Sequence, residues 1–127
     1  MIPTSPSSKN ALVVDDQIDC ADAVALMLES IGWKTKVALN GIEALRIANL
    51  IKPRLILLDI NMPKLDGFDT CGVLRAQPWS IDTRIIATTG LPKEEVVDRA
   101  KQMGFDDCLL KPIDLEQLQK IPVDLDQ

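Results

Sequence analysis

The sequence contains no histidine, and its three cysteines, Cys20, Cys71 and Cys108, stand in no CxxC spacing. A zinc site built from His and Cys is thereby excluded. Reduced thiols are the default, Cys20 and Cys71 packed on helices and Cys108 in a strand, which fits a cytoplasmic protein. There is no basic run, and 19 acidic against 14 basic residues give a net charge of −5. That balance argues against direct grip on nucleic acid or an anionic membrane and favours a basic protein surface as partner. No apolar run approaches the roughly 20 residues that a membrane-spanning helix needs, so membrane insertion is not expected. No GxGxxG is present, and the loop where a flavodoxin-like or dinucleotide-binding module would cradle phosphate carries Asp15 and Asp16, which would repel it.

What the chain does have is 127 residues at 46% hydrophobic content, enough for one domain and too few for two. Five short apolar runs, at residues 11–14, 34–38, 55–58, 84–88 and 107–110, alternate with amphipathic stretches. This alternation predicts a single doubly wound (βα)5 domain, a five-stranded parallel sheet with helices on both faces. Residues 1–9 read as a flexible lead-in, 10–121 as the domain and 122–127 as a tail. The first helix should turn Ala21, Val24, Ala25 and Leu28 inward and stop at Gly32. Asn40 should cap the second, with Glu43 reaching back in a capping box and Ala44, Leu45 and Ala48 inward. The third begins near Gly67 and ends before Pro78. The fourth follows Pro92, buries Val96, Val97 and Ala100, and ends at Gly104. The fifth follows Asp114, turns Leu115 and Leu118 inward, and is cut short by Pro122.

Right-handed crossovers bring all five βα loops to one sheet edge, where ligands of open α/β sheets bind. Asp15 and Asp16 follow the first strand, Asp59 the third, Thr88 and Thr89 the fourth, and Lys111 and Pro112 the fifth. Singly, each has a plain reading: a solvated helix start, a turn residue, a strand threonine, a loop lysine. Jointly they place acid, acid, hydroxyl and ammonium together. Three close carboxylates repel by about 4 kcal/mol per pair at an effective dielectric near 20. Lys111 offsets one charge; an all-oxygen donor set without His or Cys favours Mg²⁺, or Mn²⁺, for the rest. A cation-bridged carboxylate, a hydroxyl and an ammonium suit in-line phosphoryl transfer.

These residues carry a resemblance. Asp59, Met62, Pro63, Asp66 and Gly67 form D-x-x-M-P-x-x-D-G, and Asp59, Thr89 and Lys111 fall 30 and then 22 residues apart. Over roughly residues 10–121 the chain resembles a receiver (CheY-like) domain of two-component response regulators. The resemblance implies strand order 2-1-3-4-5. It implies Asp59 as phosphoacceptor from a phosphohistidine on a sensor histidine kinase or histidine phosphotransfer domain. It further implies Mg²⁺ held by Asp15, Asp16, Asp59 and the backbone carbonyl of Asn61, with Asp15 acting mainly through water. Lys111, set by a cis bond to Pro112, would pair with Asp59, and Thr89 would be the switch hydroxyl. Phosphorylation would alter the face of helix four, strand five and helix five, making the chain a regulatory phosphoacceptor and not a separate enzyme. Leu91, beside the path of attacking water, could slow hydrolysis.

Two departures stand out. Cys108 sits where relatives often carry Tyr or Phe, so output through the loop before the fourth helix replaces a ring-based readout as the expectation. Pro122 shortens the last helix, which leaves a monomer or a weak phosphorylation-dependent dimer open; a free-standing regulator stays open as well, and a receiver taken from a hybrid kinase or longer regulator is favoured over it. Two other readings stay open: a pseudo-receiver that binds without turnover, and, less favoured, a haloacid-dehalogenase-like phosphatase. The latter needs an acid where this chain has Asn61. The output partner, the pathway and the phosphoryl lifetime are not legible.

Overall fold

In a computed structural model, residues 9–62 and 66–122 are described. The expected lead-in and tail therefore fall outside these residues except for Lys9 and Pro122, as does Pro63 of the motif. The strands are β1 (Asn10–Val14), β2 (Lys34–Ala38), β3 (Leu55–Asp59), β4 (Arg84–Thr89) and β5 (Asp107–Leu110). The helices are α1 (Ile18–Ser30), α2 (Gly41–Ile51), α3 (Gly67–Arg75), α4 (Lys93–Met103) and α5 (Leu115–Gln119), with a 3-10 turn over Pro78–Asp82 that the sequence reading did not anticipate. All strand pairs are parallel, in the order β2-β1-β3-β4-β5. This is the doubly wound arrangement expected.

Every residue of β3 is buried, as a central strand covered on both faces requires. Period-two alternation then divides the core. Leu12, Ile56, Leu58, Ile85 and Ala87 pack against α2, α3 and α4. Ala11, Val13, Leu55, Leu57 and Ile86 pack against α1 and α5. Two strands, β3 and β4, run one residue longer than the apolar runs at their functional ends. Asp59 is the last residue of β3, and Thr89 the last of β4.

Most helix signals hold. The Asn40 side chain accepts from the Glu43 N–H at 2.8 Å, and Gly104 ends α4 at φ 106°, a left-handed position that glycine occupies without strain. Asp114 and Gln117 form a reciprocal capping box on α5. Four details differ. Glu43 reaches back one residue further than a capping box would, to the Leu39 N–H at 2.8 Å. Val97 is only half-buried, because Val96 and Ala100 occupy the inward line of α4. Leu115 is exposed, since it opens a helix of only five residues whose sole buried member is Leu118. Cys20 is exposed as well, off the buried line of Ala21, Ala25 and Leu28. Among the described residues, no helix is long and apolar enough to cross a membrane.

Candidate functional site

Four strands deliver the site residues to one edge, and the register fixes which side chains can meet. Val14 pairs with Leu58, so the residues just beyond β1 stand beside the end of β3; Asp59 in turn pairs with Thr88. Asp15, Asp16 and Asp59 each offer a carboxylate oxygen, and these oxygens lie within 4.8 Å of one another. Asp15 and Asp59 are buried and Asp16 is exposed. Lys111 reaches into this group from the end of β5, its Nζ lying 3.0 Å from Asp15 Oδ2 and 3.2 Å from Asp59 Oδ2. The remaining oxygens of the two buried acids accept backbone N–H groups, Gln17 on Asp15 Oδ1 and Asn61 on Asp59 Oδ1, both at 2.9 Å. Asp16 has no hydrogen bond or ion pair to any described residue.

Charge is therefore unbalanced, three carboxylates against one ammonium. Burial raises the Asp59 pKa above the ordinary carboxyl value, although the Asn61 N–H and Lys111 oppose the shift. Burial alone would lower the Lys111 pKa, but its hydrogen bond to Asp15 and the charges of both acids outweigh burial and hold the ammonium above the usual lysine value. Desolvation wins at the acid and pairing wins at the amine. Three oxygen donors with net negative charge suit a divalent cation of the hard, oxygen-seeking kind; the donor set fits one.

The hydroxyl candidate is less direct. Thr89 is fully buried, and its Oγ1 accepts the Leu91 N–H at 2.9 Å. No hydrogen bond joins it to the acidic cluster among the described residues. It faces the α4 side of the sheet, in step with Ala87, whereas Thr88 falls on the α1 side in step with Ile86. The bond from Lys111 to Pro112 is cis, as expected.

The turn after β3 explains the rest of the motif. Met62 is buried with Phe68 in the α3-side core. Asp66 caps α3 by accepting the Asp69 N–H at 2.9 Å. A Cβ on Gly67 would collide with the backbone carbonyl of Asp59 and sit 2.5 Å from Ile60 Cα. Only glycine lets α3 start against the end of β3, so Gly67 places Asp59 without touching its side chain.

Sequence reasoning missed Arg75. Its guanidinium donates to the carbonyls of Gly104 (2.8 Å), Ser80 (2.7 Å) and Thr83 (2.9 Å), and pairs with Asp106 at 2.6 Å. The same Asp106 oxygen accepts the Ile85 N–H at 2.8 Å. This cluster ties α3, the 3-10 turn, β4 and the approach to β5 together at the opposite sheet edge.

Comparison with known proteins finds consistent matches. The sequence model of the response regulator receiver domain matches residues 11–122. The DNA-binding dual master transcriptional regulator RpaA of Synechocystis is 34% identical over 107 residues, which are 84% of this chain but 44% of that regulator. This chain thus spans less than half of RpaA. Chemotaxis protein CheY4 of Vibrio cholerae superposes with a TM-score of 0.84 at 31% identity, covering 89% of this chain and 94% of the other. A response regulator of Burkholderia pseudomallei, solved with a phosphorylated aspartic acid, a calcium ion and citrate, superposes with a TM-score of 0.81 at 30% identity over 88% and 65% of the two chains.

Proposed function

The chain belongs to the response regulator receiver domain family of two-component signalling, and we propose that Asp59 is its phosphoacceptor, drawing a phosphoryl group from a phosphohistidine on a partner kinase or phosphotransfer domain. The observation that carries this is the charge imbalance around a buried carboxylate that already touches an ammonium. The chain supplies no histidine of its own, so the donor imidazole must come from elsewhere. The Burkholderia relative holds its phosphate on an aspartate with a divalent ion present, which supports the same division of labour.

In the transfer, an Asp59 carboxylate oxygen forms the new O–P bond as the donor's P–N bond breaks. The electron pair of that bond leaves with the imidazole nitrogen, which takes up a proton. Asp15, Asp16, Asp59 and the backbone carbonyl of Asn61 would hold Mg²⁺, or Mn²⁺, which when bound supplies positive charge against the carboxylates and the phosphoryl oxygens. Lys111, already beside Asp59, would follow the charge onto those oxygens. The Asn61 N–H keeps the carboxylate oriented. Hydrolysis reverses the state: water attacks phosphorus, the P–O bond to Asp59 breaks, and phosphate leaves.

Phosphorylation adds about −1.5 to −2 charge at the edge. The Thr89 hydroxyl, now accepting from Leu91, would turn to donate to a phosphoryl oxygen, releasing the Leu91 N–H and moving the β4–α4 loop. Cys108 is buried against the α4-side core, where it offers no ring to swing, so the loop carries the change toward α4, β5 and α5. Its role is regulatory: it takes part in its own phosphorylation and dephosphorylation. Exposure to radiolabelled acetyl phosphate with Mg²⁺ should label the protein, and chelation or Asp59→Asn should abolish the label. Label that survives Asp59→Asn would refute the assignment.

A further inference from the structure

A second feature meets this edge from below. Between α1 and the β5–α5 connection lies a cavity of about 400 Å³. Its floor is Val13 and Leu57 from the sheet, its roof Ala23, Val24 and Met27 from α1, and its far wall Ile113. The cavity persists because α5 is only five residues long and buries Leu118 alone, while α1 presents short side chains, Ala23 and Val24, above the gap. One end is polar: Asp15 and Lys111 line it. Volume, apolar walls and a few convergent polar groups are the attributes of small-molecule sites.

We propose that this cavity binds a small apolar molecule bearing a hydrogen-bond donor or positive charge, such as an aromatic amine. The walls select the apolar body. The polar end selects the head, because the Lys111 ammonium that lines it is already shared between Asp15 and, outside the cavity, Asp59, so an ammonium or hydroxyl gains an acceptor there and a carboxylate meets repulsion. Asp15 Oδ2 already takes the Lys111 ammonium and Oδ1 the Gln17 N–H, each leaving a second lone pair for an incoming donor. Cys20 also lines the cavity and is exposed, so the cavity is open to solvent. A molecule held here touches two side chains that also belong to the acidic site, so its binding and the state of that site are coupled in both directions.

The test uses tryptamine and indoleacetate, matched in body and opposite in charge, added to the metal-free protein while methyl and backbone NMR spectra are recorded. Tryptamine should produce saturable shifts at Val13, Val24, Met27, Leu57 and Ile113, and should bind about tenfold more tightly than indoleacetate, a difference near 1.4 kcal/mol. Ala23→Phe, which fills the gap from an exposed helical position, should remove the shifts while the rest of the spectrum stays native-like; Val24→Phe serves if the first variant disturbs α1. Absence of saturable shifts at these residues, or shifts that persist in a folded filled variant, would overturn the site. Equal or tighter binding of indoleacetate would overturn the charge assignment. Because neither metal nor phosphodonor is present, failure here leaves the phosphoacceptor reading intact.

Discussion

Two charged clusters sit at opposite edges of the same sheet and are built on opposite principles. At the amino edge, Arg75 and Asp106 balance in charge, and the guanidinium spends four N–H groups on three carbonyls and one carboxylate. At the carboxyl edge, three carboxylates face one lysine, and Asp16 has no partner among the described residues. A satisfied cluster holds segments together and has little left to offer a ligand. An unbalanced one destabilises the empty protein and gains when a cation arrives. The imbalance marks the carboxyl edge as the one with capacity for a cation.

The difference can be broken first at the balanced edge. Arg75→Ala strands the carbonyls of Gly104 and Thr83, leaves the Ser80 carbonyl with only the Thr83 N–H, and deprives Asp106 of its cation. We expect a loss of about 3–4 kcal/mol in urea unfolding, given roughly 1–3 kcal/mol per buried unsatisfied group and a discount for the part-exposed ion pair. Phosphate uptake per folded molecule should stay at the wild-type level. A variant as stable as wild type would show the network to be ornamental.

The next largest effect belongs to the unbalanced edge alone. Mg²⁺ at about 100 times its Kd should raise stability by about 2.7 kcal/mol, read as an increase in Tm. Asp16→Asn should remove most of that gain, and Arg75→Ala should leave it whole. Equal melting of the wild type with and without millimolar Mg²⁺ would contradict the imbalance.

A smaller effect is set by protons. The Asp59 pKa is raised on folding by burial, so the native state takes up a proton before the unfolded chain does as pH falls. Stability conferred by that proton appears on descending through the raised value, and its absence is a constant penalty above it. Asp59→Asn should therefore be more stable than the metal-free wild type at neutral pH, because the amide carries no charge to desolvate. The advantage should vanish below the ordinary carboxyl value of 3.8. An advantage independent of pH would point to packing instead of charge.

The two edges also differ in how far the sequence disclosed them. Asp59 was legible because a run of buried aliphatics ended on it, and an apolar strand closed by a carboxylate is a local pattern. Asn40 and Asp114 were legible as caps for the same reason. Arg75 was not, since three of its four acceptors are backbone carbonyls, those of Ser80 and Thr83 in the following turn and that of Gly104 far along the chain, and no residue type marks a carbonyl that lacks a donor. The exposed positions of Leu115 and Cys20 depended on helix length and phase, which capping signals leave open by a residue or two. The apolar cavity follows from side-chain volumes across α1 and a truncated α5, a quantity that periodicity does not encode.

We propose that the unbalanced edge serves to put a phosphoryl group on Asp59. The most direct measurement is to treat the protein with acetyl phosphate and Mg²⁺, digest it, and map the mass of each peptide. A gain of about 80 Da is expected, confined to the peptide holding Asp59 and absent without Mg²⁺. A protein that gains no such mass, or gains it on Asp15, Asp16 or any other residue, would contradict it.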